Sequence, residues 1–187
     1  MLRYYITNRL AFSEGVEGLL SAIKGAARAG VDMIQIREKD LSTYDLFTLV
    51  QSALEMVAGT STRVLVNDRA DVALAAGAHG AHLRSDAISP REWRRVLRDG
   101  FLLGTSCHTI QDVQAAEGAD FLVFGPVFDT PGKGPALGLE ALQQAASRSI
   151  VPVLALGGVT EANASECIAH GAAGIAGIRL FQNLRPA

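Results

Sequence analysis

Residues 64–83 read VLVNDRADVALAAGAHGAHL. The stretch opens inside an apolar, β-branched run, Arg63–Asn67, with the composition of a strand covered on both faces. Asn67, Asp68 and Arg69 interrupt that run together. The alanine-rich segment Asp68–Ala76 then has helical character, and Gly77 stands where a helix C-terminus takes a left-handed residue. Gly80–Leu83 returns to strand composition. A strand, a helix and a second strand joined by such short turns make a βαβ unit, which needs a parallel sheet.

Working outward, the phrase repeats. ARAGVD, LAAGAHG, AEGAD and AHGAAG each end a helix on glycine and lead into the next strand. Strands are expected at Tyr4–Thr7, Met33–Arg37, Arg63–Asn67, Gly80–Leu83, Leu102–Ser106, Phe121–Phe124, Val153–Leu156 and Gly174–Ile178. Helices are expected at Glu14–Ala29, Thr43–Ala58, Asp68–Ala76, Pro90–Arg98, Ile110–Glu117, Leu139–Ser147 and Asn163–His170. No composition break marks a linker, so residues 1–187 read as a single α/β domain. Eight β/α units point to a closed (β/α)8 TIM barrel rather than an open sheet. At 187 residues it is compact, since such barrels seldom fall below about 200. The shortage sits at RLFQNLRPA, which leaves room for only a truncated eighth helix. The apolar wall near Ile178, Leu180 and Phe181 is then expected to need a partner subunit or a shifted segment to cover it, which makes a homodimer plausible.

Composition narrows the partners. Apolar residues make up 49% of the chain and net charge is −2, so a large core forms and bulk electrostatics give no nucleic-acid signature. Arg91, Arg94, Arg95 and Arg98 have helical spacing and read as one solvated face. Cys107 and Cys167 lack metal-ligand spacing, nothing at the N-terminus reads as a signal peptide, and no apolar run reaches a membrane span. A soluble cytoplasmic protein with reduced thiols and no membrane partner is the expectation.

In a barrel, function gathers at the carboxyl ends of the strands. Those ends carry Thr7 and Arg9; Gln35, Arg37, Glu38 and Lys39; Asn67, Asp68 and Arg69; His82, Arg84 and Asp86; Ser106 and His108; then Gly125 to Lys133, Gly157, Gly158 and Arg179. The set is cationic enough to predict an anionic ligand, most simply phosphate. In IQIREKD (34–40), alternation puts Gln35, Arg37 and Lys39 on one side; a salt bridge from Arg37 to Glu38 is the competing use. The glycines of ALGGVT (155–160) either admit a phosphate to the backbone or make a tight turn. FGPVFDTPGKGP (124–135) brings Thr130 and Lys133 on a loop long enough to close as a lid. His108 reads as a structural hydrogen-bonder and Cys107 as a buried, inert thiol. Asp68 suits a helix cap and equally a metal ligand.

In order, YYITNR, IQIREKD, VLVNDRADVALAAGAHGAHL, GTSCHT, GADFLVFGPVFDTPGK and VPVLALGGVT resemble the thiamine phosphate synthase family, whose superfamily includes the thiazole tautomerases. The resemblance spans essentially the whole chain. It implies a transferase in thiamine biosynthesis that condenses hydroxymethylpyrimidine diphosphate with thiazole phosphate, giving thiamine phosphate and diphosphate. Carried over by position, it implies that Gln35, Arg37, Lys39 and Asn67 meet the diphosphate and pyrimidine. Ser106 touches the same substrate, Thr130 and Lys133 hold phosphate, and Gly158 binds the thiazole phosphate through its amide. Asp68 would hold Mg2+, a hard cation that takes carboxylate and phosphate oxygens.

The chain departs from that pattern in places. HLRSDA puts Ala87 where the family keeps a second Mg2+ carboxylate, with Asp86 one residue earlier as the candidate replacement. Gly132 replaces a loop threonine, and Arg179 stands where a serine helps bind thiazole phosphate. The HLRSDAISP segment is closer to the tautomerase branch, but that branch carries its acid/base histidine where this chain has Pro126. Two alternatives follow: a metal-independent thiazole tautomerase with Glu38 as the carboxylate, and a non-catalytic thiamine-phosphate-binding regulatory protein.

Overall fold

The computed structural model describes residues 1–182 and 184. Its elements run β1 (Leu2–Ile6), α1 (Val16–Arg28), β2 (Met33–Ile36), α2 (Thr43–Met56), β3 (Arg63–Asn67), α3 (Ala70–Ala76), β4 (Gly80–Leu83) and α4 (Pro90–Arg94). They continue β5 (Leu102–Cys107), α5 (Ile110–Ala115), β6 (Phe121–Phe124), α6 (Gly138–Arg148), β7 (Val153–Ala155), α7 (Ala164–Ala169), β8 (Gly174–Gly177) and α8 (Arg179–Gln182). A 3-10 turn, Arg9–Ala11, follows β1. The strands pair in chain order as a closed, all-parallel (β/α)8 barrel.

The residues group into two compact units, Tyr4–His82 with the segment from Ile178, and Met1–Arg3 with Leu83–Gly177. In the first, α1 buries Leu19, Ala22, Ile23 and Ala26 at helical spacing, and α2 does so with Leu46, Leu49, Val50 and Ala53. Ser42 caps α2, accepting from the Asp45 N–H at 3.1 Å. The α8 stub covers more than its length suggests. Phe181 is 2% exposed and its ring lies 6.4 Å from that of Tyr5, so Phe181 needs no partner subunit to cover it. The Leu184 carbonyl rests on α1 at Gly25, where a Cβ would stand 2.6 Å from it.

The second unit packs Val113, Leu122, Phe124, Val127, Leu142, Val153 and Cys167 into one core. Its α5 starts on a capping box, in which Thr109 and Asp112 satisfy each other's backbone N–H groups. Here α4 ends at Arg94 rather than running to Arg98. Beyond it Val96 is largely exposed, so that turn has no apolar face to bury.

Candidate functional site

The strand ends of the first unit carry a cation that is left without an ion-pair partner among the described residues. Gln35 pairs with Leu65 in the β2–β3 register, so alternation sets Gln35 and Asn67 on one face and Arg37 just beyond. Arg37 is half-buried, and among the described residues its guanidinium has no ion-pair partner. The expected competitor, Glu38, is used elsewhere. It is 5% exposed and accepts from Thr7 Oγ1 at 2.6 Å, from the Arg9 N–H at 3.0 and 3.1 Å, and from Arg9 Nη1 at 3.3 Å. The same Arg9 forks onto Asp40 with two 2.6 Å bonds. Both carboxylates nearest Arg37 in the chain are thus held by Arg9. A half-buried guanidinium left this way favours an anion. The sequence names Arg9 only as a strand-end residue; its clamp on Glu38 joins distant positions and leaves no local pattern.

Asp68 does not cap α3. The helix begins at Ala70 with Arg69 at the cap position and no side-chain cap bond. Asp68 instead has φ +59°, the one positive φ at a non-glycine among the described residues, and its N–H donates to the His82 carbonyl at 2.8 Å. Left-handed backbone at an aspartate costs energy, and such strain concentrates at functional positions. Beside it Asn67 is half-buried, with no side-chain hydrogen bond among the described residues.

Gln35 lies deeper than a simple ligand contact. It is 1% exposed and its Nε2 donates to the Tyr4 hydroxyl at 2.9 Å; that hydroxyl lies 3.2 Å from His82 Nδ1. Burial first, and the nearby Arg37 charge second, lower His82 to about 3, so the imidazole is neutral. The sequence names His82 only as a strand-end residue and leaves Tyr4 inside its strand, since a tyrosine in one strand and a histidine near the end of another are ordinary core residues. In the same unit, Asn8, Ala11, Ile178, Arg179 and Gln182 line a cleft of about 430 Å3. Arg179 is exposed there and has no ion-pair partner among the described residues.

In the second unit, the loop after β6 meets the glycine pair after β7. The Val127 N–H donates to the Leu156 carbonyl at 2.8 Å and the Phe128 N–H to the Gly157 carbonyl at 3.0 Å. Gly157 and Gly158 have φ +94° and +62°. A Cβ on Gly157 would come 2.5 Å from Pro126 Cα, and one on Gly158 2.6 Å from Phe128 Cβ. The pair therefore serves loop packing, while among the described residues neither glycine N–H has an acceptor. Two such N–H groups in consecutive left-handed residues suit an oxyanion. The Asn163 Nδ2 holds the Gly158 carbonyl at 3.1 Å.

Both ends of the β6 loop are fixed, since the Leu137 N–H donates to the Pro126 carbonyl at 2.8 Å and the Gly138 N–H to the Val127 carbonyl at 3.0 Å. Only its tip is exposed, and Lys133 sits there; Thr130 Oγ1 donates to the Phe128 carbonyl at 3.0 Å. Ser106 is half-buried near the end of β5. His108 Nδ1 donates to the Gly125 carbonyl at 2.6 Å, the structural role expected of it. Asp86 is exposed and takes both prongs of Arg84.

For a divalent cation, the donor set is spare. Among the described residues no three His, Cys, Asp or Glu side chains gather as a metal cluster. Mg2+ does not need one, because it binds through one or two carboxylates and completes its shell with waters and substrate phosphates. The Asp68 carboxylate fits that chemistry. Asp86 fits only after releasing Arg84.

The family model and the curated relatives point to one family. A family model described as thiamine monophosphate synthase matches residues 3–181. A Geobacter sulfurreducens protein provisionally named thiamine-phosphate synthase is 42% identical over 178 residues, covering 92% of this chain and 83% of that one. The thiamine-phosphate synthase of Methanoculleus marisnigri is 40% identical over 156 residues, covering 81% and 74%. Among solved structures, thiamine phosphate pyrophosphorylase from Pyrococcus furiosus superposes with TM-score 0.85 at 28% identity, covering 99% of this chain and 89% of that one.

Proposed function

The chain belongs to the thiamine monophosphate synthase family, and from that premise we propose that it is a thiamine-phosphate synthase, joining hydroxymethylpyrimidine diphosphate to thiazole phosphate with release of diphosphate. The observation that carries the reading is Arg37, half-buried at the end of β2 while Arg9 holds the neighbouring carboxylates. Loss of a diphosphate leaving group places new negative charge on its oxygens. A preorganised guanidinium is worth most where that charge appears. Lys39 and Lys133 add point charges, Asn67 and Ser106 add hydrogen bonds, and Gln35 faces the pyrimidine. Thr130, the Gly158 N–H and Arg179 suit the phosphate of the second substrate. No general base is required, because the chain's task is to hold two reactants in line and stabilise the departing group.

Asp68 would hold Mg2+, with Asp86 joining if Arg84 yields it, and the ion would neutralise diphosphate charge. Cytoplasmic location and homodimer formation are part of the same proposal. The tautomerase alternative loses support on two counts: Pro126 carries no proton, and Glu38 already accepts from Thr7 and Arg9. A non-catalytic binder would bind both phosphorylated substrates without turnover.

The test is incubation of the protein with both phosphorylated precursors and Mg2+, following thiamine phosphate by chromatography. Product is expected, and Arg37→Ala should lower kcat by about 100-fold or more. Absence of product at high enzyme concentration overturns the reading. Chelation with EDTA should stop turnover and added Mg2+ restore it.

A further inference from the structure

The two acidic side chains nearest Arg37 in the chain, Glu38 and Asp40, are both drawn to the end of β1. Glu38 accepts from the Thr7 hydroxyl and the Arg9 N–H, and Arg9 Nη1 closes on it at 3.3 Å. Asp40 takes the Arg9 fork on both oxygens at 2.6 Å. Among the described residues, Arg9 is the one cation that pairs with either carboxylate. Thr7 ties the two segments further, because its hydroxyl also accepts from the Arg37 N–H at 3.0 Å. One short segment therefore carries both a guanidinium and the carboxylates that could cancel it. A residue from the turn after β1 keeps them apart.

Without Arg9, those carboxylates have another use. Glu38 is buried, and a buried carboxylate that loses its cation is strongly destabilised until it finds another. Asp40 follows Arg37 on a chain that is already turning, since the Leu41 N–H donates to the Glu38 carbonyl at 3.4 Å. Arg37 is half-buried with no ion-pair partner among the described residues, so its guanidinium is the one at hand. An internal pair of that kind competes directly with an anionic ligand, because both need the same N–H fork.

We propose that Arg9 is a positioning residue: by clamping Glu38 and Asp40 at the end of β1, it keeps both from closing on Arg37 and so sets the affinity of that guanidinium for a polyanion. Arg9 does this without touching the ligand, because both of its terminal nitrogens are committed to its own chain. The inference rests on the synthase reading, in that the polyanion is the diphosphate of the substrate. It adds the contact that decides whether Arg37 is available to it.

The experiment is a mutant cycle read by calorimetry with inorganic diphosphate in the presence of Mg2+, with kcat, KM and Tm followed in parallel. Arg9→Gln should weaken diphosphate about tenfold and raise KM for the pyrimidine diphosphate by a similar factor, with a smaller change in kcat. In the Glu38→Gln/Asp40→Asn background no carboxylate is left to restrain, and Arg9→Gln should then change diphosphate affinity by less than about twofold. A merely structural role for Arg9, or direct contact with the ligand, would weaken diphosphate equally in both backgrounds. A folded Arg9→Gln with wild-type affinity, or a loss that persists once both carboxylates are neutral, overturns the clamp. If Arg9→Gln does not fold, Arg9→Lys, which cannot fork onto Asp40, takes its place, and an unchanged affinity there has the same force. Missing turnover with diphosphate affinity following the cycle sinks the synthase reading alone; turnover with diphosphate affinity indifferent to Arg9 sinks the clamp alone.

Discussion

Cys107 ends β5 with no exposed surface, and burial pushes its thiol up to about 12, with the Asp112 carboxylate adding to the shift. Cys167 is also buried and its thiol is raised, first by burial and then by Glu166. The thiolate is the reactive form, so neither side chain should be alkylated in the folded protein at pH 8.5. Both should react promptly in denaturant, which a mass-spectrometric labelling time course would show. The same shift ties stability to pH. In the open chain Cys107 loses its proton near 9, while the folded form keeps it to about 12. Its contribution is complete below about 9 and is lost as pH rises through that interval, at about 1.4 kcal/mol per pH unit. Alkaline denaturation should therefore be earlier than in Cys107→Ser, if the serine hydroxyl is accommodated.

At the scale of elements, the turn from β3 to α3 combines strain with chemistry. Glycine takes Asp68's backbone angles freely. Asp68→Gly should hold or raise Tm, by up to about 1 kcal/mol of relieved strain, while removing the proposed cation ligand. Melting scans and activity assays on one preparation would test this; a clear fall in Tm would show that the carboxylate is structural. The same turn shows why some of the site was readable in the sequence and some was not. The apolar run of β3 and the glycine after α3 leave periodic signals, and both ends of β3 stand where expected. A single residue turning left-handed leaves no periodic signal, so α3 starts two residues later than its composition suggests. Arg37 could be found because charge at a strand end is conspicuous. The contacts of Arg9, Tyr4 and His82 could not, because they depend on partners supplied by distant strands.

Across the whole molecule, surface charge proves more structural than its helical spacing implies. Of the four arginines expected to form a solvated face, Arg94 reaches inward to the carbonyls of Gly118 at 2.8 Å and Phe101 at 2.7 Å, and pairs with Asp120. Asp120 in turn accepts from the Leu103 N–H at 2.7 Å. Arg91 and Arg95 make exposed pairs with Glu117 and Glu92, while Arg98 has none among the described residues. Arg94→Ala should cost about 2 kcal/mol and lower Tm by about 4 to 8 °C, whereas Arg98→Ala should leave Tm unchanged. Equal effects in differential scanning calorimetry would contradict this.

The strand order has a consequence for synthesis on the ribosome. Each strand from β2 to β8 pairs with the strand made just before it, so the growing chain can add one strand and helix at a time without waiting for distant sequence. The exception is the amide of Leu2, whose acceptor, the carbonyl of Ala173, emerges almost last. Until then the first strand has an open edge, and the newborn chain is most open to mispairing there.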